Sequence, residues 1–187
     1  MGASLDDAVR ALERGQLVVY PTDTLVGVAA SASDRAAVGR LLRAKRRAGS
    51  QPISIAVSSL DEVEVWGRLA PPGRRAVRRT LPGPYTLLLR PTARARGRLA
   101  AAVAGGTTIG LRVPDHPVAR ELARRVGPIT ATSANRHGAA PAPSVAAAAR
   151  TLGDEVAVYL AMGPPPTGRP STLLDLTGPT PREVPRQ

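Results

Sequence analysis

At 187 residues the chain is long enough to bury one substantial core and short for two. It contains no cysteine, which excludes disulfides, thiolate catalysis and cysteine-based zinc sites, and its two histidines, His116 and His137, are too few for an all-histidine metal site. The formal charge is +12, and of 26 basic residues only Lys45 is a lysine, so the expected partners are polyanions: nucleotides, RNA or both.

The N-terminal segment opens on a capping-box spacing, Ser4 with Asp7, and Gly15 closes the helix that follows. Strand-like runs are expected at 17–20 and 25–30, interrupted by Pro21-Thr22-Asp23-Thr24. Ser33-Asp34 opens a second helix whose Val38, Leu41 and Leu42 share a face and whose last turn carries Lys45-Arg46-Arg47. Further strands are expected at 53–57, 85–90, 108–113, 128–131, 156–161 and 171–176. Ser59 with Glu62 has capping-box spacing, and after Asp115-His116-Pro117 the residues Val118, Leu122 and Val126 form a helical stripe ending at Gly127. Ser144 caps an alanine-rich helix running to about Leu152.

Several strands, Ile53–Val57 and Tyr85–Leu89 among them, are mostly apolar, as expected where both faces are covered. Helices and strands alternate, but the first two and last two strands are consecutive. The expected fold class is α/β (α+β), a three-layer domain on a twisted mixed sheet, with residues 1–187 as a single domain. No apolar run approaches the roughly 20 residues of a membrane span, and the acidic N-terminus lacks a signal-peptide core, so a cytoplasmic protein with no membrane partner is expected.

Three polar segments interrupt apolar strands or end helices: Pro21–Thr24, Lys45–Arg47, and Thr130-Ala131-Thr132-Ser133-Ala134-Asn135. In open α/β sheets ligands gather at strand ends, which draws such segments together. Lys45 and Arg47 offer a point charge and a bidentate fork to phosphates. Ser133 and Asn135 suit an amino acid or a ribose. Ser133 and His137 are not read as a nucleophile and base, because no acid orients the histidine and the residues between them read as a turn. There is no Walker-type glycine loop and no Gly-x-Gly-x-x-Gly fingerprint. Aromatic residues make up 2% of the chain, so RNA would be met through phosphate or shape rather than base stacking.

Read in order, Pro-Thr-Asp-Thr after a strand, Lys45-x-Arg47 after a helix, Pro82-Gly83-Pro84-Tyr85-Thr86-Leu87, Arg112-x-Pro114-x-His116-Pro117, Ser133-Ala134-Asn135 and Ser171-Thr172-Leu173-Leu174-Asp175 resemble the YrdC-like family of threonylcarbamoyl-AMP synthases from about residue 5 onward. The resemblance implies an enzyme, a nucleotidyltransferase that joins L-threonine, bicarbonate and ATP into threonylcarbamoyl-AMP and releases pyrophosphate. A tRNA threonylcarbamoyltransferase complex would then be the acceptor of the product. By position, Thr24, Arg112, Ser133 and Ser171 would surround threonine, and Lys45, Arg47, Thr108, Asn135, Ser144 and Arg186 would contact ATP. The site would position anions with Mg²⁺ present, using no metal-ligating side chain and no assigned acid or base. The chain departs from the family pattern at Val26, Gln51 and Ala56. Tyrosine and histidine at the first and last of these would serve the threonine pocket, and asparagine at the second would serve the nucleotide. The other reading of the charge is a diverged paralogue that binds tRNA, double-stranded RNA or the ribosome.

Overall fold

The fold was analysed in a computed structural model that describes residues 2–48 and 52–185. Helix α1 (Leu5–Glu13) starts on the expected capping box, with Ser4 Oγ accepting from the Asp7 N–H at 3.2 Å and the Asp7 carboxylate accepting from the Ser4 N–H at 2.9 Å. Gly15, at φ +70°, lies so close to Asp34 and Arg40 that a side chain would collide with both. Strands β1 (Val18–Tyr20) and β2 (Gly27–Ala29) flank the Pro-Thr-Asp-Thr corner, and α2 (Arg35–Ala44) is capped by Asp34. Next come β3 (Ser54–Ala56), α3 (Asp61–Trp66), β4 (Gly67–Arg68), α4 (Pro71–Thr80) and β5 (Tyr85–Pro91). The remainder is α5 (Ala93–Arg98), α6 (Ala101–Ala104), β6 (Ile109–Arg112), α7 (Pro117–Val126), β7 (Ile129–Ser133), α8 (Val145–Leu152), β8 (Val158–Tyr159), β9 (Thr172–Asp175) and β10 (Arg182–Val184).

The strands form one mixed sheet in the order β10-β9-β5-β6-β3-β7-β2-β1-β8, with β4 against the far end of β5. The pairs β1–β8, β3–β6 and β5–β9 are parallel and the others antiparallel. All eight expected strands are present, most of them shorter than expected. The two that went unread are short: β4 has two residues, and β10 is a polar edge strand between prolines. The capping box expected at Ser59 does not form. Helix α3 begins after Leu60, and Glu62 instead accepts from the Ser58 N–H and Oγ at 3.1 and 2.8 Å.

Side-chain alternation along the strands divides the core into two layers. Val19, Val28, Ile55, Leu87, Leu89 and Leu111 face one way, under α2 to α6 and α8. Val18, Ala29, Ala56 and Ile129 face the other, under α1 and α7. These last two helices cover only part of their face. Where they stop, the same face of the sheet opens as a cleft. The expectation that 85–89 is covered on both sides therefore holds on one side only: Leu87 and Leu89 enter the core while Thr86 and Leu88 line the cleft.

Candidate active site cleft

The cleft has a volume of about 840 Å³, within the usual range for a small-molecule site. Its wall begins at the corner between β1 and β2. Pro21 limits the backbone there, and Thr22 Oγ1 accepts from the N–H groups of Thr24 and Leu25 at 3.1 and 3.2 Å, a hydroxyl turn that makes the chain reverse. The turn sets Asp23 and Thr24 against Arg112 at the end of β6. Arg112 Nη1 donates to Thr24 Oγ1 at 2.8 Å and Nη2 to Asp23 Oδ1 at 2.7 Å. The guanidinium lines the cleft at 7% exposure, and burial holds it below the usual arginine range although Asp23 acts the other way. Its Nε and the second oxygen of Asp23 are buried without a partner. Outside this corner, Thr167 donates to the Asp23 carbonyl through both its N–H and Oγ1, and the Gly168 N–H donates to the Thr24 carbonyl at 2.8 Å.

The floor is hydroxyl and glycine. Thr86 and Ser171 are joined through their hydroxyls at 2.7 Å, and Ser54 lies beside Gly110, where any side chain would collide with it. Tyr20 crosses above Gly27, and burial pushes its phenol up to about 12, so it stays neutral. Arg47 lines the cleft half-buried, with Nη2 on the Pro52 carbonyl at 2.8 Å and its Nε unpartnered.

The site residues expected from sequence divide into two groups. Thr24, Arg112, Ser133, Ser171, Arg47 and Thr108 all line the cleft. Lys45, Asn135 and Ser144 do not. The Lys45 ammonium, 3% exposed, donates to the backbone carbonyls of Ser133 and Asn135 and so clamps the end of β7 to the end of α2. Asn135 is buried, with its amide on the Arg136 and Ala139 carbonyls at 2.9 and 2.6 Å. Ser144 is exposed and caps α8, accepting from the Ala147 N–H at 3.1 Å. Arg186 and Gln51 lie outside the described residues. Val26 lines the cleft, but Ala56 is wholly buried in the α1/α7 layer, one step beyond the open part of the face. Sequence reasoning missed Tyr20, Ser54, Thr86 and the exposed ring of His137. A hydroxyl inside an apolar strand was the visible signal for Ser54 and Thr86.

No carboxylate is among the residues lining the cleft, and no cluster of three metal-ligating side chains exists among the described residues. Two guanidinium groups over a hydroxyl floor can seat two anions. They cannot hold a metal ion themselves, so Mg²⁺ fits here only as the counter-ion of a bound polyphosphate.

A family model described as "Telomere recombination", covering Sua5, YciO and YrdC proteins, matches residues 10–187. The chain belongs to this family. A threonylcarbamoyl-AMP synthase of Chromohalobacter salexigens is 36% identical over 173 residues, covering 91% of each chain. A Mycobacterium tuberculosis protein given the same activity provisionally is 43% identical over 94% of this chain and 80% of its own. Among solved structures, P. abyssi Sua5 complexed with L-threonine superposes with a TM-score of 0.87 at 30% identity over 96% of this chain. The chain spans about half the length of that Sua5 protein (53%). E. coli YciO superposes at 0.80 with 26% identity, covering 96% of this chain and 87% of its own. The family fold, a large twisted mixed sheet with flanking helices, is the one described above.

Proposed function

We propose that the protein is an L-threonylcarbamoyl-AMP synthase. One observation carries the reading: a cleft free of carboxylates, with Arg112 and Arg47 on separate elements above a floor of hydroxyls, suits two anionic substrates held side by side. Threonine takes the Arg112 end, its carboxylate beside the guanidinium and the hydroxyls of Thr24, Ser133 and Ser171 around it. The triphosphate takes the Arg47 and Thr108 end. The threonine amine attacks the carbon of bicarbonate and water leaves. The resulting carbamate oxygen attacks the α-phosphorus, and pyrophosphate leaves as that bond forms. The chain contributes position and charge rather than an acid or a base, which is how phosphoryl-type transfers are mainly catalysed. Mg²⁺ would be held by the triphosphate rather than by side chains of the cleft, and would offset its charge. The product would pass to a transferase acting on tRNA, as the family assignment of the relatives implies.

The test is direct. The protein incubated with ATP, L-threonine and bicarbonate is expected to form threonylcarbamoyl-AMP and pyrophosphate, detected by mass spectrometry and a coupled pyrophosphate assay. Neither product appearing, while ATP still raises the melting temperature, would overturn the synthase reading and leave a nucleotide-binding protein.

A further inference from the structure

Of the stretch Arg112-x-Pro114-x-His116-Pro117, Arg112 alone lines the cleft. His116 stands at the N-cap of α7, yet its side chain makes no capping bond, and Pro117 at the first helical position sets the entry instead. The ring is 2% exposed, with Nε2 at 3.0 Å from the Pro164 carbonyl, 48 residues further along the chain. A carbonyl only accepts, so Nε2 carries the proton and donates. Nδ1 is buried without a partner among the described residues. A phenyl ring would fill this space with no polar atom to desolvate, so packing alone does not account for an imidazole here.

Pro164 belongs to a largely exposed strap, residues 161–170, that runs outside the cleft from the end of β8 to Ser171. Among the described residues the strap is held at two places. One is His116: Gly163, at φ +84°, lies so close to the ring that a Cβ would come within 2.8 Å of its Cε1. The other is the corner between β1 and β2, where Thr167 donates twice to the Asp23 carbonyl and the Gly168 N–H donates to the Thr24 carbonyl at 2.8 Å. Pro164, Pro165 and Pro166 lie between these anchors and lock φ at three successive residues, so the connection is stiff. The corner is thus gripped from both sides. Arg112 takes the side-chain oxygens of Asp23 and Thr24, and the strap takes their carbonyls.

We propose that His116 is a positioning residue for the amino-acid substrate. Through the Pro164 carbonyl it holds the strap against the outside of the corner. The strap in turn fixes Thr24 and, through Asp23, the guanidinium fork that receives the substrate carboxylate. His116 touches no substrate itself. The strap ends at cleft-lining Ser171, so the same anchor governs a third residue at that end of the cleft. Arg47 and Thr108, at the other end, make no bond to the strap among the described residues. The proposal rests on the reading that threonine takes the Arg112 end.

The test measures the Kd for L-threonine and for a non-hydrolysable ATP analogue separately by isothermal titration, with adenylate formation assayed on the same preparations. His116→Phe keeps the ring and loses the donor; its threonine Kd should rise about threefold to tenfold, and that for the ATP analogue less than about twofold. His116→Gln places an amide N–H near the position of Nε2 and should return threonine binding to within about twofold of the unmodified protein. Gly168→Ala meets no atom within 4 Å but is strained at φ +79°, so it disturbs the strap at the corner without touching the core. It should weaken threonine binding in the same sense. Leu122→Ala, in the α1/α7 layer, should lower the melting temperature and leave both constants unchanged. Unchanged threonine binding in His116→Phe, or in Gly168→Ala should the phenylalanine protein not fold, would overturn the proposal. So would an equal rise for both ligands, or a glutamine variant as weak as the phenylalanine one. The expected binding pattern in a protein that forms no adenylate would support the proposal and overturn the synthase reading. Adenylate formed with threonine binding indifferent to His116 would do the reverse, and an unmodified protein that binds no threonine would overturn both.

Discussion

Asp23 Oδ1 lies 2.7 Å from Arg112 Nη2, and the pair is almost closed to solvent, with side-chain exposures of 12% and 9%. One side of the fork is thus fixed by the protein before any ligand arrives, and only Nε is left without a partner. A carboxylate ligand meets an oriented guanidinium rather than a mobile one, and that orientation is set from the corner where β1 turns into β2.

Asp23→Asn tests that arrangement, because it keeps the shape and removes the charge. The expected effect is a rise of about tenfold in the KM for threonine, one weakened charge-assisted bond being about 1.5 kcal/mol. The kcat and the KM for ATP should change less than threefold. Steady-state kinetics with each substrate varied in turn checks this. An equal rise for both substrates would show general loss of structure instead.

Lys45 predicts a pH dependence of stability. Burial, with the charge of Arg47 adding to it, pushes its ammonium down to about 8. Between about pH 8 and the usual lysine value near 10.4 the unfolded chain holds a proton that the folded chain has released. Stability therefore rises with pH across that window and this contribution is level below it. Lys45→Met removes the slope, takes the ammonium from the Asn135 carbonyl and leaves the Ser133 carbonyl only the Asn135 N–H, so it should also be less stable at every pH. Urea midpoints for the two proteins from about pH 7 to about pH 10.5 check it, and parallel curves would contradict it.

The sheet was legible in the sequence because alternation and β-branched runs report on burial, which is what builds it. Half of the cleft was legible too: Thr24, Arg112, Ser133 and Ser171 are polar interruptions of apolar strands, and each faces the opening. Asn135 and Ser144 carry equally polar side chains, yet they serve the backbone, one bracing a turn and the other capping a helix. Nothing in residue type separates those uses; only the direction of the side chain does. The position of Ala56 was hidden for a related reason. It shares a strand face with cleft-lining Ser54, but α1 and α7 end between them, and that boundary is set by long-range packing.

Val26→Tyr and Ala56→His both add bulk to a packed layer, on opposite faces of the sheet. Val26 borders the cleft, yet its side chain is 1% exposed and packs in the core layer under α2 to α6 and α8, where a phenol ring is overpacked. The expected outcome for Val26→Tyr is a loss of about 1 to 3 kcal/mol, read as a lowered melting temperature, together with a changed KM for threonine. Ala56 is enclosed by the α1/α7 layer, where an imidazole is overpacked and meets no hydrogen-bond partner in the apolar cluster. Ala56→His should lose about 2 kcal/mol or more. Thermal denaturation of both variants decides it, and a stable Ala56→His protein would show that the layer opens more readily than its packing implies.

At the other end of the cleft, Arg47 and His137 line the wall while Lys45 braces the turn behind them, its carbonyl accepting from the His137 N–H at 2.7 Å. His137 is thereby held on a fixed turn with its ring exposed to the ligand space. If the triphosphate lies here, Arg47→Ala should raise the KM for ATP by tenfold to a hundredfold, the loss of a charge-assisted bond of about 1.5 to 3 kcal/mol. His137→Ala should raise it about threefold to tenfold, a single neutral-strength contact. Neither should move the KM for threonine by more than about twofold, because the groups around Arg112 are on other elements. Isothermal titration of a non-hydrolysable ATP analogue, with and without threonine, measures each contribution. A rise in the threonine constant as large as that for ATP would place both side chains between the substrates rather than on the phosphates.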